Sequence, residues 1–370
     1  MTVEDLALQM TSGIGVKGAV HLLEHFGNAH RIFAASFEEL VEAAHLRPDI
    51  ARNIVARKAF TAAEKELAFC HRHNITPIAS TDPEYPTLLR EIPDYPAVIY
   101  LQGDPSVLSK RCLSMVGTRD ATPYGLHMCN SLIGQLAELV SDLCIVSGLA
   151  FGIDIASHRA ALDAHCPTVA VLPCSLPEVV PTQHTAVARE ILARGGALVT
   201  EFHSQTPQKG AGYLARNRII AALSAGCVIV ESPAIGGSLT TANYADSYHR
   251  TVMALPGRAT DRFSAGTNGL IRNRQAQMIL SADDIVREMM WDLAPAPTKT
   301  TASSATAQLT TDEAKLLGCF THNDPFTVEE LSTSSGLNVG ELAALLIGLE
   351  LAGTIRQLPG NRYMRIVEII

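Results

Sequence analysis

Four stretches of this 370-residue chain carry the residue types that grip anions: Gly117-Thr118-Arg119, Ser147-Gly148-Leu149-Ala150, Arg216-Asn217-Arg218 and Gly236-Gly237-Ser238-Leu239-Thr240-Thr241. Glycines let a backbone turn sharply and aim several N–H groups one way, and a turn feeding a helix N-terminus adds the positive end of the helix dipole. Arginine suits phosphate because its planar fork donates two parallel hydrogen bonds. One such turn is usually a fold-closing element. Three on one edge, with guanidinium groups between them, describe a strip for repeated phosphates rather than a socket for one nucleotide. Bond-breaking chemistry is less well served, since no Ser-His-Asp order or Walker loop occurs. Asp154, Glu201 and Glu231 stand at strand ends or helix starts, where a carboxylate commonly serves the fold. The eight cysteines never form Cys-x-x-Cys, and Cys70-His71-Arg72-His73 lacks a second ligand pair at zinc spacing. No metal or other cofactor is expected.

The elements that must hold these turns alternate. Strand-like runs at Val98–Leu101, Leu113–Val116, Leu143–Val146, Thr168–Leu172, Ala197–Thr200, Cys227–Val230 and Thr251–Leu255 are separated by helical stretches at Tyr124–Val140, Ile155–Ala164, Thr185–Arg194, Asn217–Ser224 and Leu239–Tyr248. Short β-rich runs divided by helices predict an α/β domain with a mostly parallel, doubly wound sheet. Ligands of such sheets collect beyond the carboxyl ends of the strands, where the anion-gripping turns fall. The scattered cysteines then read as reduced, partly buried small hydrophobes of a cytoplasmic protein.

Length and charge bound the rest. A chain of this size divides into several domains. Residues 1–77 read as helical, 78–293 as the alternating domain, 294–308 as a flexible linker rich in Pro, Ala, Ser and Thr, and 309–370 as a small domain of three helices and a hairpin. Within the first part, Ser12-Gly13-Ile14-Gly15-Val16-Lys17 reads either as a helix-hairpin-helix turn offering amides to a phosphate, with Lys17 beside it, or as a plain helical hairpin. A fainter copy lies at 46–52. No uninterrupted apolar run is long enough to span a bilayer, so no membrane partner is expected. The formal net charge is −8, yet residues 205–275 carry +5 and the remainder −13. A cationic face on an acidic protein restricts polyanions to one place. Ordinary solvated arginines are the plainer reading of the same count.

Taken in order, Val116-Gly117-Thr118-Arg119 with Tyr124-Gly125, Ser147-Gly148-Leu149-Ala150-x-Gly152-Ile153-Asp154 with Ala156-x-His158, Arg216-Asn217-Arg218-Ile219-Ile220, and Arg250 through Pro256-Gly257 resemble the DNA-processing protein A family (DprA/Smf). The resemblance implies an extended Rossmann-like domain flanked by an N-terminal helix-hairpin-helix or SAM-like helical domain and a C-terminal winged helix. It also implies binding of single-stranded DNA, loading of the recombinase RecA in natural transformation, and self-association as a homodimer near 266–280. On this match the DNA-binding set is Gly117, Thr118, Arg119, Ser147, Gly148, Phe151, Lys209, Arg216, Asn217, Arg218, Gly237, Ser238 and Arg250. Some stretches depart from the family pattern. Phe151 stands where many members have arginine, and serves either to stack a base or to cover the sheet. Residues 210–215 lack the usual aromatic-and-proline lead-in, 182–184 lack a common lysine and asparagine, and 273–276 replace a more usual Gly-Ala ending.

Two further expectations complete the reading. The helix at Val339–Leu351 carries Glu341 and Glu350 but no lysine or arginine, so the last domain reads as a protein-contact module rather than a reader of DNA. The competing function is that of a Rossmann-like nucleoside-monophosphate phosphoribohydrolase, whose signature places a catalytic glutamate where this chain has Asn243. An amide cannot act as a carboxylate base, so a binding protein rather than an enzyme is expected.

Overall fold

The computed structural model describes residues 1–207, 212–291, 311–320, 325–351, 354–358 and 362–365. Five α-helices open the chain: α1 Val3–Met10, α2 Val16–Phe26, α3 Ala29–Ala34, α4 Pro48–Val55 and α5 Phe60–Arg72. Thr2 caps α1 by a reciprocal bond with Asp5, so the first turn leaves few donors unmet. The alternating part follows as β1 Thr76–Ala79, α6 Thr87–Arg90, β2 Val98–Gly103, β3 Arg111–Val116, α7 Pro123–Leu139, β4 Leu143–Ser147, α8 Ile153–Asp163, β5 Thr168–Val171, α9 Thr185–Ala193 and β6 Ala197–Thr200. It continues through α10 Gly212–Ala222, β7 Gly226–Ile229, α11 Gly237–Ser247, β8 Thr251–Ala254, α12 Ala265–Arg272, β9 Gln277–Met278 and α13 Ala282–Glu288.

The nine strands form one sheet in the order β1-β2-β6-β5-β4-β3-β7-β8-β9, parallel from β6 to β9, with β2 running against its neighbours. The interior strands are buried on both faces, which is why they read as short apolar runs without alternation. β1 was not expected. It is four residues long, contains Pro77 and sits at the sheet edge, where a missing N–H costs no ladder bond. The chain winds outward from β3 through β4, β5 and β6, then returns to place β7 and β8 on the other side of β3. That reversal opens a crevice at the carboxyl ends of β3 and β7.

Residues Met1–Ala294 make one compact unit. A single apolar cluster joins Leu6, Leu22 and Ile32 of the helical part to Tyr100 and Leu198 of the sheet. Polar ties reinforce it: Gln9 Nε2 donates to the Glu201 carbonyl at 2.9 Å, and Tyr100 Oη donates to Gln9 Oε1 at 2.7 Å. The Gly-Ile-Gly turn between α1 and α2 lines a cavity of about 200 Å³ with Pro96, Glu201 and His203, while Lys17 stays exposed.

Residues Pro295–Ile370 form a second unit, with α14 Thr311–Leu317, β10 Phe326–Thr327, α15 Val328–Ser335, α16 Val339–Leu351, β11 Ile355–Leu358 and β12 Arg362–Arg365. The strands pair antiparallel in the order β10-β12-β11, and Leu316, Leu331, Leu342, Leu346 and Ile355 fill its core. This is a winged helix. The expected linker, 294–308, and the turn at 359–361 lie outside the described residues.

Candidate nucleic-acid interface

A pocket of about 320 Å³ occupies the crevice at the strand reversal. Gly117, Thr118, Arg119 and Asp120 line it after β3, Ala150 and Asp154 after β4, Arg216 and Asn217 from α10, and Gly236, Gly237 and Ser238 at the start of α11. Loops from three strand ends and one helix therefore converge on one volume, as the alternating pattern required.

Two glycines exist for close approach. A Cβ on Gly148 would lie 1.1 Å from Arg216 Nη1, so only glycine lets the guanidinium lie across the β4–α8 turn. A Cβ on Gly125 would lie 2.2 Å from Glu231 Oε2. Glu231 accepts from Thr122 N at 2.9 Å and from Thr122 Oγ1 at 2.5 Å, and so clamps the start of α7. It also accepts through its backbone carbonyl from Thr118 N at 2.8 Å. The Gly117-to-Gly125 motif is thus a loop wrapped around one buried carboxylate, whose role is structural.

Arg216 is the electrostatic centre. Only 4% of it is exposed, its Nη1 stands 3.6 Å from Asp154 Oδ2, and Nε and Nη1 have no hydrogen-bond partner among the described residues. Burial raises the Asp154 carboxyl above its ordinary range, with the Arg216 charge opposing, and burial likewise lowers Arg216 against the pull of Asp154. The pair is therefore incompletely compensated, and a buried guanidinium with idle donors favours an incoming anion. Beneath it His158 donates or accepts at Nδ1 with Thr168 Oγ1 at 2.8 Å, and burial followed by the Arg216 charge holds its pKa down at about 3. The imidazole is accordingly neutral and adds no second charge.

Around this centre the side chains are open to solvent. Arg119 is exposed, forms no salt bridge among the described residues, and lies 5.2 Å above the Tyr213 ring. Tyr213, in the first turn of α10, is the aromatic beside Arg119, and the 210–215 stretch has no proline. Phe151 is 46% exposed, its ring edge against His184 at 4.8 Å between centroids. It is not a core residue. His184 is buried and bonded through Nδ1 to the Leu149 carbonyl at 2.7 Å, and its ring braces Phe151.

Five expected members lie elsewhere or act indirectly. Arg218 turns away from the pocket and pairs with Glu201 and, at 3.7 Å, with Asp94. The reason is periodicity: residues two apart on a helix face opposite sides, and 216–218 lie inside α10 rather than in the loop before it. Arg250 precedes β8, at the opposite end of the strands from the pocket, and binds Glu91 Oε2 at 3.0 Å and the Leu88 carbonyl at 2.8 Å. Ser147 is buried and donates to the Met115 carbonyl at 2.7 Å, tying β4 to β3. Asn217 lines the pocket, yet its Nδ2 donates to the Gly237 carbonyl at 3.3 Å and so positions the glycine loop. Ser238 is held by Ser232 Oγ at 2.9 Å, which leaves the α11 N-terminus itself uncapped. Lys209 lies outside the described residues.

Near the pocket, Asp154 is paired with Arg216, Glu231 is clamped by Thr122, and Asn243 is an exposed amide on α11, while Asp120 lines the pocket as an exposed carboxylate. Among the described residues no group of three or more His, Cys, Asp or Glu gathers as a metal site, and no helix is long and apolar enough to cross a membrane. A doubly wound sheet whose switch-point crevice carries idle guanidinium donors and helix-start amides defines an anion-binding protein of the Rossmann-like class. The family model for DNA recombination-mediator protein A matches residues 76–290, and the chain belongs to that family. The DprA winged-helix domain model matches residues 300–361. Protein Smf of Escherichia coli is 32% identical over 307 residues, spanning 82% of this chain and 80% of that protein. The crystal structure of DNA processing protein A from Streptococcus pneumoniae superimposes with a TM-score of 0.67 at 26% identity, covering 78% of this chain and 98% of that one. A structure of DNA processing protein A from Helicobacter pylori, described for its single-stranded DNA binding mode, gives 0.53 at 30% identity, covering 60% and 97%.

Proposed function

We propose that this chain binds single-stranded DNA, with phosphates seated against Arg216, Arg119 and the amides of Gly236 and Gly237. The observation that carries the reading is the buried Arg216, which keeps Nε and Nη1 without hydrogen-bond partners at the floor of the switch-point pocket. An anion supplies the partner that the fold withholds. We assign no bond-breaking step, since Asn243 is an amide where the phosphoribohydrolase signature has its glutamate. In the cell the protein works in the cytoplasm on DNA taken up in transformation and delivers it to RecA. It self-associates as a homodimer through 266–280, where Met278 of the edge strand β9 and Leu280 just beyond it are exposed. The division into 1–77, 78–293, 294–308 and 309–370 then separates a helical domain, a DNA-holding domain, a linker and a protein-contact domain.

Fluorescence anisotropy with single-stranded and duplex oligonucleotides tests the core of this reading. Tighter binding of single strands, weakening steeply with salt as counterions are released, is the expected result. Equal affinity for both forms, or none for either, refutes it. RecA-filament nucleation on strands coated by a strand-annealed single-stranded-DNA-binding protein tests delivery, and sedimentation of a Met278→Glu variant tests the homodimer.

A further inference from the structure

Of the three residues Arg216-Asn217-Arg218, the pocket uses the first two and leaves Arg218 on the far side of α10. The Arg218 side chain is 7% exposed and pairs with Glu201, just after β6, and at 3.7 Å with Asp94, before β2. Both partners are themselves held. The Glu201 carbonyl accepts from Gln9 Nε2 at 2.9 Å, and Asp94 Oδ1 accepts from Tyr248 Oη at 2.8 Å. The arrangement is nonetheless incomplete, since Glu201 Oε1 and Arg218 Nη1 find no partner among the described residues. A buried ion pair left partly satisfied adds little net stability, so its use lies in fixing which way the backbone faces. The start of α10 needs such a fix. Residues 212–215 bury no side chain, and apolar burial begins only at Ile219 and Ile220, where Ser114 Oγ also donates to the Ile220 carbonyl at 2.7 Å. The first turns of a helix fray when so little ties them down.

We propose that Arg218, anchored by Glu201 and Asp94, is a positioning residue for strand binding: it holds the start of α10 in the one rotation that keeps Arg216 on the pocket floor. Residues two apart on a helix lie about 200° around its axis, so the tie at Arg218 acts opposite the pocket while Arg216 faces Asp154. Without the anchor the first turns loosen, and Arg216 leaves the floor with them. The gain is preorganisation. The Arg216 guanidinium waits with Nε and Nη1 idle, and a phosphate need not order the helix as it binds. This inference rests on the DNA-binding reading above and gives Arg218 a part in it without contact to DNA.

The test is a cycle of paired replacements in the full chain, read by anisotropy of a thymidine oligonucleotide over a salt series, well below each variant's unfolding temperature. Replacing both charges of a buried pair is often neutral to folding, whereas removing one strands the other. Arg218→Met/Glu201→Gln binds roughly five- to thirtyfold weaker than wild type, and its slope of log affinity against log salt is lower by about 0.7, the share of one phosphate contact. Arg216→Met/Asp154→Asn does the same. Combining the two pairs costs nothing further, because both remove the same contact. Losses that add in the combination, wild-type affinity in Arg218→Met/Glu201→Gln, or a loss there with the wild-type slope each overturn the anchor and leave phosphate binding standing. Wild-type affinity in Arg216→Met/Asp154→Asn overturns the seating of phosphate at Arg216, and the anchor falls with it. Where the Arg218 pair variant does not fold, Asp94→Asn is read instead. It keeps the bond from Tyr248, removes one arm of the anchor and weakens binding about two- to threefold; wild-type affinity in that variant overturns the proposal.

Discussion

Removing Arg119 separates binding from folding more cleanly than any other substitution in the pocket. The side chain is exposed, makes no salt bridge among the described residues, and touches the fold through the Tyr213 ring at 5.2 Å. An exposed cation–π contact contributes about 0.5–1 kcal/mol, so Arg119→Ala destabilises the protein by no more than that. A phosphate contact is a different matter. Each one made to a single strand contributes about 0.7 to the slope of log affinity against log salt, and its loss costs about 1–2 kcal/mol, or roughly five- to thirtyfold in affinity. Arg250→Ala is the matched control, because that arginine is engaged by Glu91 and Leu88 at the far end of the strands. It should lose about 1 kcal/mol of stability and leave the slope unchanged. Anisotropy titrations of a thymidine oligonucleotide over a salt series read both variants, with thermal unfolding as the folding control. An Arg119→Ala slope equal to wild type, or an Arg250→Ala slope reduced as much, refutes the placement of phosphates at the switch-point pocket.

Other substitutions probe the buried centre and the second unit. Gly148→Ala places a methyl on the Arg216 guanidinium, so the Arg216–Asp154 pair must separate; unfolding should cost about 3 kcal/mol less than in wild type and strand binding should fail, and a variant with unchanged stability and affinity contradicts the geometry. His158 has its pKa lowered in the fold to about 3 from an ordinary 6.5, chiefly by burial. The unfolded chain therefore takes up the proton first, and stability present above pH 6.5 is lost as pH falls toward 3, by at most roughly 4–5 kcal/mol. Burial moves Asp154 and Glu201 upward, which opposes this trend, so the comparison is with His158→Gln, whose stability should depend less on pH across that window. Identical pH profiles would remove His158 from the account. Finally, the chain ending at residue 294 is one compact unit and should keep full strand affinity and salt slope, since α16 carries Glu341 and Glu350 but no cationic side chain; a loss of slope in that truncation would place DNA contacts on the winged helix.

The chain's own letters settled what local physics controls. Glycine-rich turns announced themselves because a backbone bent that sharply has few residue choices, and the buried strands because two-sided burial leaves an unbroken apolar run. Seven strands and five helices of the alternating domain and the three-helix-and-hairpin pattern of the winged helix were legible there, whereas the edge strands β1 and β9 were not. Long-range placement was not. Nothing in Arg216-Asn217-Arg218 says which arginine meets the ligand until the helix start is known, since only then does Arg218 turn toward Glu201 and Arg216 toward Asp154. Arg250 looked like part of the cationic face because charge counting ignores which end of a strand a residue occupies. Tyr213 joined the site through Arg119, a residue 94 positions earlier, and Gly148 owes its identity to a guanidinium from α10. Strand order decides these contacts: the reversal between β3 and β7 creates the crevice, and hydrogen bonding between strands distant in sequence is a property of the folded sheet alone.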